Sequence, residues 1–404
     1  MAKKILIVCD AFPPNFAPRV GNLCKHLNSD FELTIVTRAS TNQSWPVQLN
    51  RQHLTIHTIS LTQGKKWAES LLTAGDYLFN LSDHLLYNEA IKRLKGESFD
   101  LVFCTSYYIF PLLCGKKLSQ FFHIPLYIDL RDIMEQNAKP HGFAKIQQFF
   151  KLRWLNQWRR NRILKKAAYI TTVSPWHVKT LQRYNPNVEL IYNGYDRDQF
   201  IFQPIPTDRF IITYTGRLLD LSLRDPRLLF EAIKELIKDN EFEKHLTLQW
   251  YVDKESKRDV ESLAQRYDLS KYMEIHDIIS SDKMPEVLNH SSIVLVLSNK
   301  ATEDGPHGIM TTKFYEALGC EKPILCVRSD EDCLAETIGK TNAGLAGSNI
   351  DEVKDFILNT YQMWKDKGFT HQEINRTEKE KFTRQVQAEQ FEQLFNHVYT
   401  KNNP

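Results

Sequence analysis

Two successions of short apolar runs, with helix-spaced stretches between the runs, constrain this chain more than any other feature. In the first half, strand-like runs fall at Lys4–Cys9, Phe31–Thr37, Leu54–Ile59, Asp100–Thr105, Pro125–Leu130, Tyr169–Val173 and Val188–Tyr192. Val20, Leu23, Cys24 and Leu27 share a helix face, and a further helix is expected over much of Trp67–Leu94. Ser174 before Pro175 reads as a helix start, an N-cap and then a first-turn proline. Parallel strands need crossover connections, so this alternation predicts parallel α/β units.

The pattern stops over 196–208 (DRDQFIFQPIPTD), which has two prolines and no period and reads as a linker. It restarts with strands at Phe210–Tyr214, Leu246–Val252, Met273–Asp277, Ile293–Leu297 and Pro323–Val327. Helices are expected around Pro226–Lys238, Lys257–Tyr267, Asp282–Leu288, Thr312–Leu318 and Asp351–Trp364. A long helix, Glu378–Tyr399, closes the chain, with Phe382, Val386, Phe391, Leu394 and Phe395 as its buried positions. A chain of 404 residues is too long for one compact core. The expected organisation is a Rossmann-like domain over 1–195, the linker over 196–208, a second Rossmann-like domain over 209–375 and a terminal helix over 376–404.

Composition narrows the class. Apolar residues make up 42% and charged residues 25%, and the net charge is +3. Such a balance predicts a soluble globular protein and gives no reason to expect nucleic acid as a partner. The seven cysteines are odd in number and form no C-x-x-C pair. Reduced thiols fit them better than disulfides or a zinc site. The apolar run at the N-terminus breaks at Asp10, too short for a signal-peptide core, and no run approaches the ~18 residues of a membrane span. A cytoplasmic location is expected.

Open parallel sheets bind ligands at the carboxyl ends of their strands. The first such loop, Asp10–Arg19, holds three prolines and puts Arg19 at the mouth of a helix, either as an anion ligand or as a solvated residue. No G-x-G-x-x-G follows, which disfavours a nicotinamide or flavin enzyme. The corresponding loop of the second half, TGRLLDLSLRDP, has Gly216 for a tight turn and Arg217 and Arg224 for phosphate. Its alternative is a surface loop with two ordinary arginines. A third loop, EDGPHGIMTTKFYEALGC, brings glycines to a helix start and puts Lys313 and Glu316 on one helix face. Glu316 could accept a ribose's two hydroxyls, or merely pair with Lys313.

Taken in order, these pieces resemble the GT-B glycosyltransferases, specifically the retaining family-4 group. They are the first strand with FPP and an Arg-led helix, TTVSPWHVKTL…VELIYNGYDRDQF, YTGRL, and KFYEALGCEKPIL. The last is similar to the Lys-x-x-Glu motif of one branch of that family. The resemblance covers nearly the whole chain. It implies two Rossmann-like domains facing across a cleft, and a C-terminal helix crossing back to the first. It also implies a nucleotide-sugar donor of UDP or GDP type on the second domain, an acceptor on the first, and no bound metal. By position Arg217 and Arg224 look like diphosphate contacts, and Glu316 looks like the ribose carboxylate. The backbone of Gly308, Ile309 and Met310 looks placed for the donor sugar or the diphosphate. Arg217, Arg224 and Lys313 would stabilise leaving-group charge, and Asp132 is a candidate for acceptor positioning.

The chain departs from the family in three places. Gly308 stands where many members have a second glutamate, Asn15–Arg19 replaces a two-glycine loop, and IDLRD offers Arg131 or Asp132 where a histidine is common.

Residues 144–166 interleave eight basic residues with Phe149, Phe150, Trp154, Leu155 and Trp158. This suits contact with anionic lipid at the inner face of the cytoplasmic membrane, or a helix with one face packed and its basic face solvated. A lipid-linked or other glycan acceptor, as in surface-polysaccharide or lipopolysaccharide assembly, follows from the resemblance. Two other readings remain. One is a non-hydrolysing nucleotide-sugar epimerase, for which His307 is the single support. The other is a catalytically degenerate GT-B subunit that binds a partner enzyme.

Overall fold

A computed structural model describes residues 3–40, 45, 49–62, 65–106, 108–136, 153–219, 221, 224–298, 308–327 and 332–402. Contacts divide the chain into two compact units, Met1–Tyr192 with Gln387–Pro404, and Asn193–Val386.

The first unit is built on seven parallel strands: β1 (Lys3–Cys9), β2 (Phe31–Arg38), β3 (Leu54–Ile59), β4 (Leu101–Ser106), β5 (Leu126–Leu130), β6 (Tyr169–Thr172) and β7 (Val188–Leu190). Their order is β3-β2-β1-β4-β5-β6-β7. Successive side chains of a strand point to opposite faces. Leu6 and Val8 of β1 therefore enter one core, with Val36, Val102 and Ile128. Ile5, Ile7 and Cys9 enter the other, with Val20, Leu23 and Phe31. Burial on both faces is why these strands read as continuous apolar runs.

The second core is completed from the far end of the sequence. The helix Arg384–Asn402 sends Phe391 and Phe395 against Phe103 and Tyr127, with ring centroids 5.3–6.4 Å apart. Aromatic pairs at these distances add to the area that they bury.

The second unit holds six parallel strands: β8 (Phe210–Thr215), β9 (Leu246–Val252), β10 (Met273–Asp277), β11 (Ile293–Val296), β12 (Ile324–Val327) and β13 (Gly344–Gly347), in the order β10-β9-β8-β11-β12-β13. Both sheets thus reverse direction between their first and fourth strands. Such a reversal opens a crevice at the strands' carboxyl ends. In the second unit it lies between the loops that follow β8 and β11.

The structure differs from the sequence expectation in several elements, among them the added helices Asn240–His245 and Asp332–Thr341. The helix expected over Trp67–Leu94 is two, Lys66–Phe79 and Leu81–Arg93, joined at Asn80, whose φ is 49°. Asparagine tolerates that left-handed conformation, which no continuous helix contains. The terminal segment is also broken, into Arg376–Glu380 and Arg384–Asn402, with Thr383 bridged to Tyr195 between them. A side chain on Gly194 would put its Cβ 2.3 Å from the Phe382 carbonyl oxygen, so glycine permits this approach. Strand β13 reads GLAG, without a branched or aromatic residue to signal a strand. Residues 196–208 carry no regular element and pack within the second unit. Phe200 is buried, and the Gln203 amide donates to Asn289 Oδ1 at 2.9 Å.

Candidate functional site

The best-formed group of candidate residues lies in the second unit, on the loops that flank its crevice. After β8 the chain turns at Gly216, where φ is 117° and the amide donates to the Tyr251 carbonyl. A Cβ there would lie 2.8 Å from Lys313 Cε, so the lysine stem lies across this turn. The Tyr214 hydroxyl and Arg224 Nη1 both donate to the Arg217 carbonyl, at 2.9 and 2.6 Å. Arg224 therefore braces the loop as well as lining it. The Arg217 guanidinium is two-thirds exposed and meets Asp253 at 3.3 Å. Leu219, with φ 65°, is an exposed leucine in a left-handed conformation, a local strain in this loop.

The other wall begins at Gly308, with φ 65°, and passes Ile309 and Met310 to Thr311. Thr311 caps the helix Thr312–Gly319, its side chain accepting from the Lys313 amide. Phe314, Tyr315, Ala317 and Leu318 are buried, which turns Lys313 and Glu316 to the opposite face. No ion pair joins these two, although they lie three residues apart. Among the described residues Lys313 Nζ hydrogen-bonds to the Thr312 hydroxyl alone, at 3.4 Å. Among the described residues the Glu316 carboxylate accepts no hydrogen bond. Burial raises its pKa, opposed by Lys313 and by Arg384. A partly buried carboxylate without a donor is costly in a free protein, and such groups concentrate at ligand sites. Arg384 is buried and 68 positions further on, and nothing in the sequence marked it as a neighbour of Glu316.

The first unit has its own polar cluster at the ends of β1 and β5. Arg131 pairs with Asp10 at 2.5 Å. Asp132 accepts from the Gln136 amide, and Gln136 Oε1 meets His177 Nε2 at 2.8 Å. Burial raises the Asp132 pKa to about 6, while Gln136 and Arg131 oppose it. Burial lowers that of His177 to about 4. His177 starts the helix at Pro175, where its amide donates to the Ser174 cap, and sequence reading gave it no role. Its fixed place there is what ties the Asp132 segment to β6.

Arg19 requires a correction. It is neither a solvated residue nor an available anion ligand. It is 3% exposed and grips Asp129 with two hydrogen bonds of 2.9 Å. It also donates to the carbonyls of Ile191 and Tyr192, and its guanidinium stands 5.1 Å from the Phe391 ring. Thr105 and Thr171 complete the shell of Asp129. Arg19 is thus a buried brace between β5, the segment that follows β7 and the terminal helix.

Glu303, Asp304 and His307 lie outside the described residues, as does 137–152, which includes the start of the basic stretch 144–166.

Residues 19–199 match the model of Glycosyltransferase Family 4. Among solved structures, sucrose-phosphate synthase from Thermosynechococcus elongatus is similar with a TM-score of 0.65 at 16% identity, covering 99% of this chain and 100% of that one. HepE from Anabaena, in complex with UDP-glucose, has a TM-score of 0.63 at 13% identity, covering 98% of this chain and 99% of that one. The apo lipopolysaccharide outer core galactosyltransferase WaaB has a TM-score of 0.54 at 15% identity, covering 99% of each chain. No curated protein matches by sequence. The fold is GT-B, with two Rossmann-like parallel sheets. The family match covers residues 19–199, and the likeness to the solved structures is a likeness of fold.

Proposed function

We propose that the protein moves a hexose, with retention, from a nucleotide-diphosphate sugar of UDP or GDP type to a lipid-linked or surface-polysaccharide glycan. The observation that carries this reading is that Lys313 and Glu316, beside the Gly216 turn at the crevice of the second sheet, form no ion pair with each other or with another described residue. An ammonium and a carboxylate three residues apart would ordinarily neutralise each other. Held apart, the ammonium suits a diphosphate and the carboxylate suits the vicinal hydroxyls of a ribose. HepE, similar in fold, is described with UDP-glucose bound, which supports a donor of this class.

In this reading Glu316 accepts the ribose hydroxyls. Arg217 and Lys313 meet the diphosphate, and Arg224 holds the loop that presents Arg217. The amides of Gly308, Ile309 and Met310 face the donor sugar or the diphosphate. As the glycosidic bond lengthens, negative charge grows on the leaving diphosphate, and these fixed cations stabilise it without reorganising. No metal is required for that charge balance. On the acceptor side, Asp132 positions a glycan hydroxyl.

The similarity to WaaB, a galactosyltransferase of the lipopolysaccharide outer core, supports a surface-glycan acceptor. No helix of the described residues is long and apolar enough to cross a membrane. Access to a lipid-linked acceptor would instead use peripheral contact, through the basic stretch 144–166, at the cytoplasmic face.

Calorimetry of the purified protein against UDP, GDP, ADP, CMP and their sugars tests the donor assignment. Selective binding of one diphosphate, lost in Glu316→Ala, is the expected result. Binding of none would overturn it in favour of a degenerate GT-B subunit, and conversion of a nucleotide sugar without acceptor would favour an epimerase.

A further inference from the structure

The helix Lys66–Phe79 was expected only as a crossover connection, yet it carries an apolar stripe on its outer side. Trp67 and Leu71 are 65% and 63% exposed, and Leu78 is 47% exposed. With Ala74 they fall at i, i+4, i+7 and i+11, within about 60° of arc at 100° per residue. An apolar stripe of that period ordinarily faces a core. Here Glu69, Thr73 and Asp76, on the opposite side, line a cavity of about 450 Å³ at the ends of β2 and β3. On that side Leu72, alone among the described residues of the helix, is buried, so the Trp67–Leu71–Leu78 stripe is left to solvent.

A second helix of the same unit, Arg153–Leu164, stands against the end of the first. Arg159 donates to the carbonyls of Tyr77 and Leu78. These are among the carbonyls that a helix C-terminus leaves without partners, and a guanidinium suits that end of the dipole. Trp154 and Trp158, 59% and 53% exposed, lie one turn apart on this second helix. Residues 153–166 hold six arginines and lysines and no acidic residue. Arg162 stands 4.7 Å from the Trp158 ring, and Lys165 and Lys166 are exposed beyond it.

We propose that these two helices form one docking face for an anionic lipid surface, with the Trp67–Leu71–Leu78 stripe entering the interfacial layer and the basic residues meeting phosphate headgroups. The choice of lipid over a protein partner rests on charge. Exposed tryptophans and aliphatics beside a helix that carries basic residues and no acidic one match an apolar layer under a negative surface. The cavity on the inner side of the stripe helix would then lie near the headgroups. The inference rests on the membrane contact proposed above and extends it to a second helix.

The test is flotation with phosphatidylcholine vesicles, with and without phosphatidylglycerol. The wild-type chain should float with the anionic vesicles alone, and less so as salt rises. Trp67→Asp/Leu71→Asp should weaken that binding by at least about tenfold, from the lost apolar burial and the added charge. Its unfolding temperature and its calorimetric response to UDP should stay unchanged. Arg162→Glu/Lys165→Glu/Lys166→Glu probes the basic helix by itself. Loss in that variant with none in Trp67→Asp/Leu71→Asp would leave the basic-helix reading standing and overturn this inference. Absence of wild-type flotation would overturn both. A dimer seen by light scattering and abolished by Trp67→Asp/Leu71→Asp would make a second copy the occupant, and would also overturn it.

Discussion

In the first unit, charges near the carboxyl ends of the strands are buried against one another, whereas in the second the pairs that form are exposed and, among the described residues, Lys313 and Glu316 form none. Arg19 is locked to Asp129, Arg131 to Asp10 and Arg160 to Glu135. Around the crevice of the second sheet, among the described residues, Glu316 and Lys313 form no ion pair, and Arg217 is largely exposed. The two sheets share one strand order, so topology alone does not cause the contrast. It comes from the loops. A buried ion pair contributes little net stability, but its loss leaves an uncompensated charge. An unpaired partly buried charge burdens the free protein until a ligand supplies its partner. The first arrangement makes a rigid platform, and the second is the one proposed to take a ligand.

The sharpest way to break this comparison is Arg19→Ala. It leaves the Asp129 carboxylate buried without its cation, and should cost about 3–5 kcal/mol. Calorimetry should show unfolding of the first unit roughly 10 °C lower. An unchanged unfolding temperature together with weakened nucleotide affinity would restore Arg19 as a ligand residue. Replacing both partners, as Arg19→Met/Asp129→Leu, should recover much of the loss.

Glu316→Ala should behave in the opposite way. Nucleotide affinity should fall by about 1.5–3 kcal/mol, which is about ten- to a hundredfold. Folding stability should hold or rise. The folded pKa of Glu316 is raised, so its contribution is full at low pH and is lost as pH rises past the ordinary glutamate range. Glu316→Gln should therefore be more stable than wild type near neutral pH, as read by thermal denaturation. A destabilised Glu316→Gln would mean that the carboxylate is structural.

Asp132 supplies a pH-dependent effect. Its pKa is raised from 3.8 to about 6. Protonation thus favours the folded state. The contribution is full below about pH 4 and is lost as pH rises through about 6, worth about 3 kcal/mol. His177, depressed to about 4, has the other sign, its contribution present above about pH 6.5 and lost as pH falls. Stability profiles of wild type and Asp132→Asn, taken from pH 4 to 7, should differ by the Asp132 step alone.

The smallest effect on stability should come from Arg217→Ala. Its exposed pair with Asp253 is worth under about 1 kcal/mol. If the comparison holds, nucleotide affinity drops well beyond what the unfolding temperature registers.

Much of the fold was legible in the chain. Burial on both faces writes each central strand as an apolar run. Proline, serine and threonine mark helix starts, as at Ser174 and Thr311. Glycines mark the turns at Gly216 and Gly308, where the backbone needs positive φ. The donor-side candidates were legible for the same reason, since they sit within a few residues of a strand end. Strand β13 escaped because parallel pairing with β12 holds a segment that its own residues do not favour.

The sequence by itself determined which elements form and which loops carry cations, because propensity, capping and apolar period act over a few residues. Tertiary structure decided what each charge does. Arg19 meets Asp129 across 110 positions, Asp132 is held through Gln136 by His177, and the Lys313 stem lies across the Gly216 turn, 97 positions away. Whether a charge is spent on a neighbour or left for a ligand depends on distances of a few ångströms between segments far apart in the chain, and no local pattern encodes those distances.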